Sequence, residues 1–239
     1  MSTRQNYKNS QKGPKAASIL GIILSIVYRF QTLRLILIKV GEVLSHRQII
    51  ETKIDSYDKS LSIAKFRHSR ESVWKEMSLF VQQESIFFEF GVAQGYLTNW
   101  WLKKCKDSSI EWHGFDTFKG LPEKFRNLPA GTFSNNGFPP PLHDKRVRFH
   151  IGDVKSNFKK GNLILLKPKN KVFFFDLDLF DPSKHVWEVI EPHIKVGDIV
   201  YFDEAFDESE YTLIHNFVLP AKSWRVLAFS WTSLALVAT

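Results

Sequence analysis

Five places in the sequence put acidic side chains at or just past the end of a short apolar run, a pattern suited to holding a polar ligand at one edge of a sheet. The first is Glu89-Phe90-Gly91-Val92-Ala93-Gln94-Gly95. Its glycines let the backbone turn tightly and approach a ligand, while the helix that follows offers free N–H groups at its start. The alternative is an ordinary strand-to-helix turn, because the three-glycine dinucleotide pattern is absent. The second is Asp116, some twenty residues further on, where a ribose diol finds its hydrogen-bond acceptor. The third is Gly152-Asp153, where the carboxylate could meet an adenine amino group or simply cap a helix. The fourth and fifth are Asp176-Leu177-Asp178 and Asp203-Glu204. Neighbouring strands lie ~4.8 Å apart, so these carboxylates can converge on one ion. A hard divalent cation such as Mg²⁺ would balance them with oxygen ligands and retained waters. The competing arrangement has them separately solvated, or paired with Lys and Arg from a nearby loop.

These residues need strands that end together. From Ser85 onward the sequence supplies short apolar runs separated by Gly, Asp and Pro: strands at 86–90, 111–115, 146–151, 171–176 and 199–202, with helices at 94–105, 182–190 and 208–218. Asp181 reads as the N-cap of the 182–190 helix, with Pro182 at its first position. Residues 224–229 and 233–237 read as a closing hairpin. Strand-helix alternation predicts a doubly wound α/β fold, a mostly parallel sheet with helices on both faces and an antiparallel hairpin at the carboxy terminus. The thirty residues from Asp116 to Lys145, with Gly120, Gly131, Gly137 and three consecutive prolines, are too long for a plain connection and read as a lid.

Composition narrows the functional class. The chain has 239 residues, 44% of them hydrophobic and 24% charged, ordinary values for a chain with a real core. One cysteine, Cys105, can neither staple a secreted domain nor build a zinc site, which points to a reducing, cytoplasmic setting. The formal charge of +8 suggests a nucleic-acid binder until it is divided by segment. Residues 1–50 carry eight Lys/Arg against one acid, Glu42, whereas the remainder carries twenty-five against twenty-four. The basic character belongs to the amino-terminal arm, and a duplex-reading surface on the body is not supported.

That arm begins with a polar, basic tail over 1–15, then runs uncharged from Ala16 to Tyr28. The run is too short to span a bilayer, which needs ~20 apolar residues. Its readings are a helix packed on the body or on a second copy of the chain, a basic hydrophobic helix over 16–44 lying on the inner face of an anionic membrane, and a cleaved signal, which lacks small residues after Tyr28. Residues 45–80 again have helical spacing. The predicted organisation is a tail over 1–15, a helical arm over 16–80 and a ligand-binding domain over 81–239.

Taken together, EFGVAQG (89–95), GFDTFKGLPE (114–123), FFFDLDLFDPSKHVWEVI (173–190) and VGDIVYFDE (196–204) resemble the class I S-adenosylmethionine-dependent methyltransferases. Within that class the likeness is to the macrocin O-methyltransferase family, which methylates sugar hydroxyls. It covers roughly residues 85–239. The resemblance implies a seven-stranded Rossmann-like sheet, S-adenosylmethionine as methyl donor, Mg²⁺, and an alcohol acceptor on a sugar or glycosylated small molecule. It implies that Glu89, Gly91, Gly95 and Asp116 hold the donor with Asp153 near adenine, and that Asp176, Asp203 and Glu204 hold the metal. Two departures stand out: Asp203-Glu204 replaces a pair of aspartates, and GDVKSNF follows the third strand where relatives carry an aromatic and a threonine. For the proton acceptor, Asp176 and His143 in the lid are the candidates. The competing functions are a membrane-attached module that binds the donor without turnover, and methyl transfer to another class of acceptor.

Overall fold

The computed structural model describes residues 32–33, 35–46, 48 and 66–239. The tail at 1–15, the uncharged run at 16–28 and the helical reading of 49–65 lie outside the described residues. The chain divides into two compact units, Met1–Glu42 and Val43–Thr239. A helix, α1, runs over 35–46, and the second unit holds the sheet.

That sheet has seven strands in the order β3-β2-β1-β4-β5-β7-β6. The strands are β1 (Ile86–Phe90), β2 (Glu111–Asp116), β3 (Val147–Ile151), β4 (Lys171–Phe175), β5 (Ile199–Phe202), β6 (Trp224–Phe229) and β7 (Leu234–Ala238). The first five pair in parallel, and β7 pairs antiparallel with both β5 and β6. The chain therefore reverses its winding between β1 and β4, which opens a crevice beyond the ends of those two strands.

Continuous apolar runs make the central strands because both faces are covered. Every residue of β1 and β4 is buried. Phe88, Phe90, Phe173 and Phe175 face one layer, formed by α4 (Val154–Asn157), α5 (Phe180–Ile190) and α6 (Glu208–Leu213). Phe87, Val172 and Phe174 face the other, formed by α2 (Arg70–Met77) and α3 (Tyr96–Lys104). Much of this core is aromatic: Phe87 stacks on Trp112 at 4.8 Å and Phe88 on Phe173 at 5.0 Å.

Two expectations change here. By composition, α2 belonged to the amino-terminal arm; in the structure its Val73, Trp74 and Met77 are buried against the sheet, so it is one of the covering layers. The helix expected to start at an Asp181 cap begins at Phe180 instead, with Leu179 as N-cap and no side-chain cap. Asp181 lies in the first turn, where it complements the helix dipole, and Pro182 sits where no intrahelical N–H partner is lost.

Candidate functional site

The crevice beyond β1 and β4 is a cavity of about 410 Å³. Its floor is the strand ends, its walls are the first turns of α2 and α3, and Gly120, Leu121, Pro122 and Phe133 of the 116–145 loop lie over it. Among the described residues seven carboxylates line it (Glu89, Asp116, Asp153, Asp176, Asp178, Asp203 and Glu204), against one cation, Arg70. Such a cavity favours a positively charged ligand.

At the end of β1, Gly91 has φ +89, and a Cβ there would sit 1.8 Å from the Asp176 carbonyl oxygen. The glycine is needed so that β1 can pass against β4. Gly95, with φ +74, starts α3, but it does not line the cavity: a Cβ there would press on Pro140 at 2.7 Å and Leu142 at 3.3 Å. Its small size makes room for the loop and not for a ligand. Of the residues expected to hold the donor, Gly95 is thus the one placed away from the cavity lining.

Asp116 reaches back to the turn after β1. Its Oδ2 accepts from the Val92 and Ala93 N–H groups, both at 2.8 Å, and its Oδ1 accepts from the Phe118 N–H at 2.7 Å. The turn's amides, expected to face a ligand, are satisfied by this carboxylate. The turn is therefore no pyrophosphate cradle; Asp116 Oδ2 has both lone pairs taken by these amides, while Oδ1, with a single donor, keeps one more. Asp153 does what an N-cap does, accepting from the Ser156 N–H at 3.1 Å.

Glu89 is buried in the floor. Its Oε2 accepts from the Trp112 indole N–H at 2.8 Å and from the Thr98 hydroxyl. Burial, aided by the nearby Asp116 charge, pushes its pKa up to about 8 despite those two bonds.

The end of the cavity beyond β4 and β5 holds the other four acids. Asp176 lines the cavity and makes no side-chain hydrogen bond among the described residues; burial first, then the charges of Asp203 and Asp178, hold its pKa well above the ordinary carboxylate range. Asp178, at φ +61, is pushed up to about 6 by burial and then by Glu204. Asp203 is fully engaged, with Oδ1 accepting from the Tyr201 hydroxyl at 2.5 Å and Oδ2 from Arg70 Nη1 at 3.1 Å. Glu204 accepts a two-pronged bond from Arg126 of the loop, at 3.2 and 2.8 Å, and Arg126 also pairs with Asp207.

This is not the donor set expected for Mg²⁺. No group of three or more metal-ligating side chains is assembled among the described residues; Asp203 faces the Arg70 guanidinium and the Tyr201 hydroxyl, and Glu204 the Arg126 guanidinium. The paired alternative left open by the sequence is the one observed, though only Arg126 comes from the loop. His143 is exposed and does not line the cavity. It lies between Leu142, packed near Gly95, and Arg146, whose guanidinium is bound to the Leu102 and Cys105 carbonyls, so the chain there runs along the outside of α3. The residues that sequence reasoning missed are Arg70, Arg126 and Tyr201. Arg70 lies 133 positions from the carboxylate it meets, and no local motif marks it.

No protein-family model matches the sequence, and no curated protein matches it. Solved structures share the fold. The crystal structure of CalS11, calicheamicin methyltransferase, is similar over 70% of this chain and 76% of that one, with 21% identity and a TM-score of 0.52. The structure of the O-methyltransferase NovP is similar over 71% and 77%, with 16% identity and a TM-score of 0.47. The chain has the Rossmann-like fold of the class I S-adenosylmethionine-dependent methyltransferases.

Proposed function

We propose that the protein transfers a methyl group from S-adenosylmethionine to a hydroxyl of a sugar or glycosylated small molecule. The observation that carries this is the acidic lining of the cavity, seven carboxyl groups and one guanidinium at the winding reversal of this fold. A sulfonium donor that also bears an ammonium group suits such walls, and a volume of about 410 Å³ is in the range of small-ligand sites. The engaged amides of Val92 and Ala93 weigh against a dinucleotide. The acceptor class rests on the sequence resemblance.

In this reading the acceptor oxygen attacks the methyl carbon in line with the sulfonium. The new C–O bond forms as the S–C bond breaks, and the thioether leaves with the electron pair. Holding the two reactants in line supplies most of the acceleration. Asp176 takes the hydroxyl proton: it lines the cavity at the end of β4 and makes no side-chain hydrogen bond among the described residues, so its oxygens are open to an acceptor hydroxyl. Mg²⁺ does not fit the carboxylates as they are paired, and no step is assigned to it.

The test is calorimetry of the full chain with S-adenosylmethionine and its demethylated product, followed by incubation of labelled donor with a cell extract to find the fraction that takes up the methyl group. Binding of both with label on a glycosylated small molecule supports the reading. Binding without transfer to any fraction leaves the non-catalytic module, and label on protein or nucleic acid overturns the acceptor class.

A further inference from the structure

Resting on that reading of the site, we propose that Arg70 is the resident cation of the acceptor end, its guanidinium standing in the place that a divalent metal ion would take beside the carboxylates of β4 and β5.

The placement is built into the fold. Ser69 caps α2, and Val73, Trp74 and Met77 fix that helix against the sheet, which brings its first residue to the cavity. Arg70 Nη1 donates to Asp203 at 3.1 Å. The guanidinium carbon stands 5.5 Å from the Trp74 ring centroid and 5.3 Å from that of Tyr96, so two aromatic faces flank the charge. Tyr96 is itself held by its hydroxyl bond to Glu71 at 3.0 Å. The charge is thus seated from several sides and is no stray surface contact.

A hard divalent ion draws its ligands from carboxylate oxygens. Both oxygens of Asp203 are engaged, by Arg70 and Tyr201, and both of Glu204 are held by Arg126. A second cation at the same carboxylates would have to share oxygens already engaged and would stand beside a like charge. The Arg70 side chain is 40% exposed at the cavity wall; besides the Asp203 bond its Nε pairs with Glu71 at 3.8 Å, and its remaining N–H groups make no hydrogen bond among the described residues. They are available to an acceptor oxygen. A guanidinium does not lose its proton in a protein, so it stays cationic while charge develops on that oxygen and the proton passes to Asp176.

The experiment is a Mn²⁺ titration of chelator-stripped full-length protein, followed by electron paramagnetic resonance, on the wild type, Asp203→Asn, Arg70→Ala and the double variant. Expected is no Mn²⁺ site in the wild type that Asp203→Asn removes, and at least about tenfold tighter Mn²⁺ binding in Arg70→Ala that the double variant loses. Arg70→Gln, which keeps length and hydrogen bonding but not charge, replaces Arg70→Ala should thermal melting show the latter unfolded. Mn²⁺ held by the wild type through Asp203, or no gain in a folded variant lacking the Arg70 charge, overturns the inference. Donor binding, measured separately, judges the functional reading: a chain that binds no S-adenosylmethionine sinks that reading whatever Mn²⁺ does.

Discussion

At the scale of single residues the site separates into acids that are paired and acids that are not. Asp203 and Glu204 are matched by Arg70 and Arg126, whereas Asp176 faces the cavity without a partner. Asp176→Asn keeps the shape and removes the proton acceptor, so turnover should fall by about 10²-fold or more, while donor affinity stays within about tenfold, or ~1.4 kcal/mol. Steady-state rates beside calorimetry check this, and a parallel loss of both would make Asp176 a donor-binding group. Glu89 supplies a pH signature. Its folded pKa of about 8 lies above the ordinary 4.5, so the stability it contributes is fully present below 4.5 and lost as pH rises through about 8. Glu89→Gln keeps acceptors for Thr98 and Trp112 without the ionisation. Relative to wild type its melting temperature should therefore improve steadily between pH 5 and pH 8.5, and a difference that does not change with pH would refute the assignment.

At the scale of elements, close approach and ion pairing do different work. Gly91 lets β1 pass β4: Gly91→Ala adds a Cβ 1.8 Å from the Asp176 carbonyl oxygen, on a backbone at φ +89. The expected cost is about 3 kcal/mol or more, a melting shift of roughly 6–12 °C or failure to fold. Gly131→Ala is the control, since it has φ +81 but nothing within 4 Å, and should cost only ~1–2 kcal/mol of left-handed strain. The lid is tied internally, with the Asn135 and Gly137 N–H groups donating to the Phe118 carbonyl, and externally by Arg126 to Glu204 and Asp207. Arg126→Ala should raise hydrogen exchange across residues 120–135 by about tenfold and leave β1 and β4 unchanged. Equal exchange in both proteins would show that the internal bonds alone hold the lid.

At the scale of the whole molecule the charge is unevenly shared, eight Lys/Arg against one acid in residues 1–50 and near balance beyond. Within α1, Ile36, Leu37, Val40 and Leu44 recur at helical spacing and are each at least 44% exposed. No helix among the described residues is long and apolar enough to cross a membrane. Surface attachment is the arrangement this combination predicts: full-length protein should float with anionic vesicles and not with neutral ones, and detach as salt approaches 0.5 M, where screening shortens to roughly 4 Å. Retention by neither vesicle type would assign the face to a second copy of the chain, which the mass in solution then shows.

The sequence by itself determined the sheet. Continuous runs such as IFFEF and KVFFF cannot be solvated on either face, and their spacing with helices leaves few topologies, so strand positions came within a residue or two of those observed. It also placed Glu89, Asp116, Asp153, Asp176, Asp203 and Glu204 at the strand ends around one cavity. What each acid faces was decided by tertiary structure. Asp116 turned to the Val92 and Ala93 amides, Gly95 went beneath Pro140, and His143 was left outside. Arg70 reached Asp203 across 133 residues because the apolar face of α2 packs on the sheet and carries its first turn there. Periodicity is local and can be read along a chain; the partner of a charge is chosen in space, by whichever packed element delivers the opposite charge.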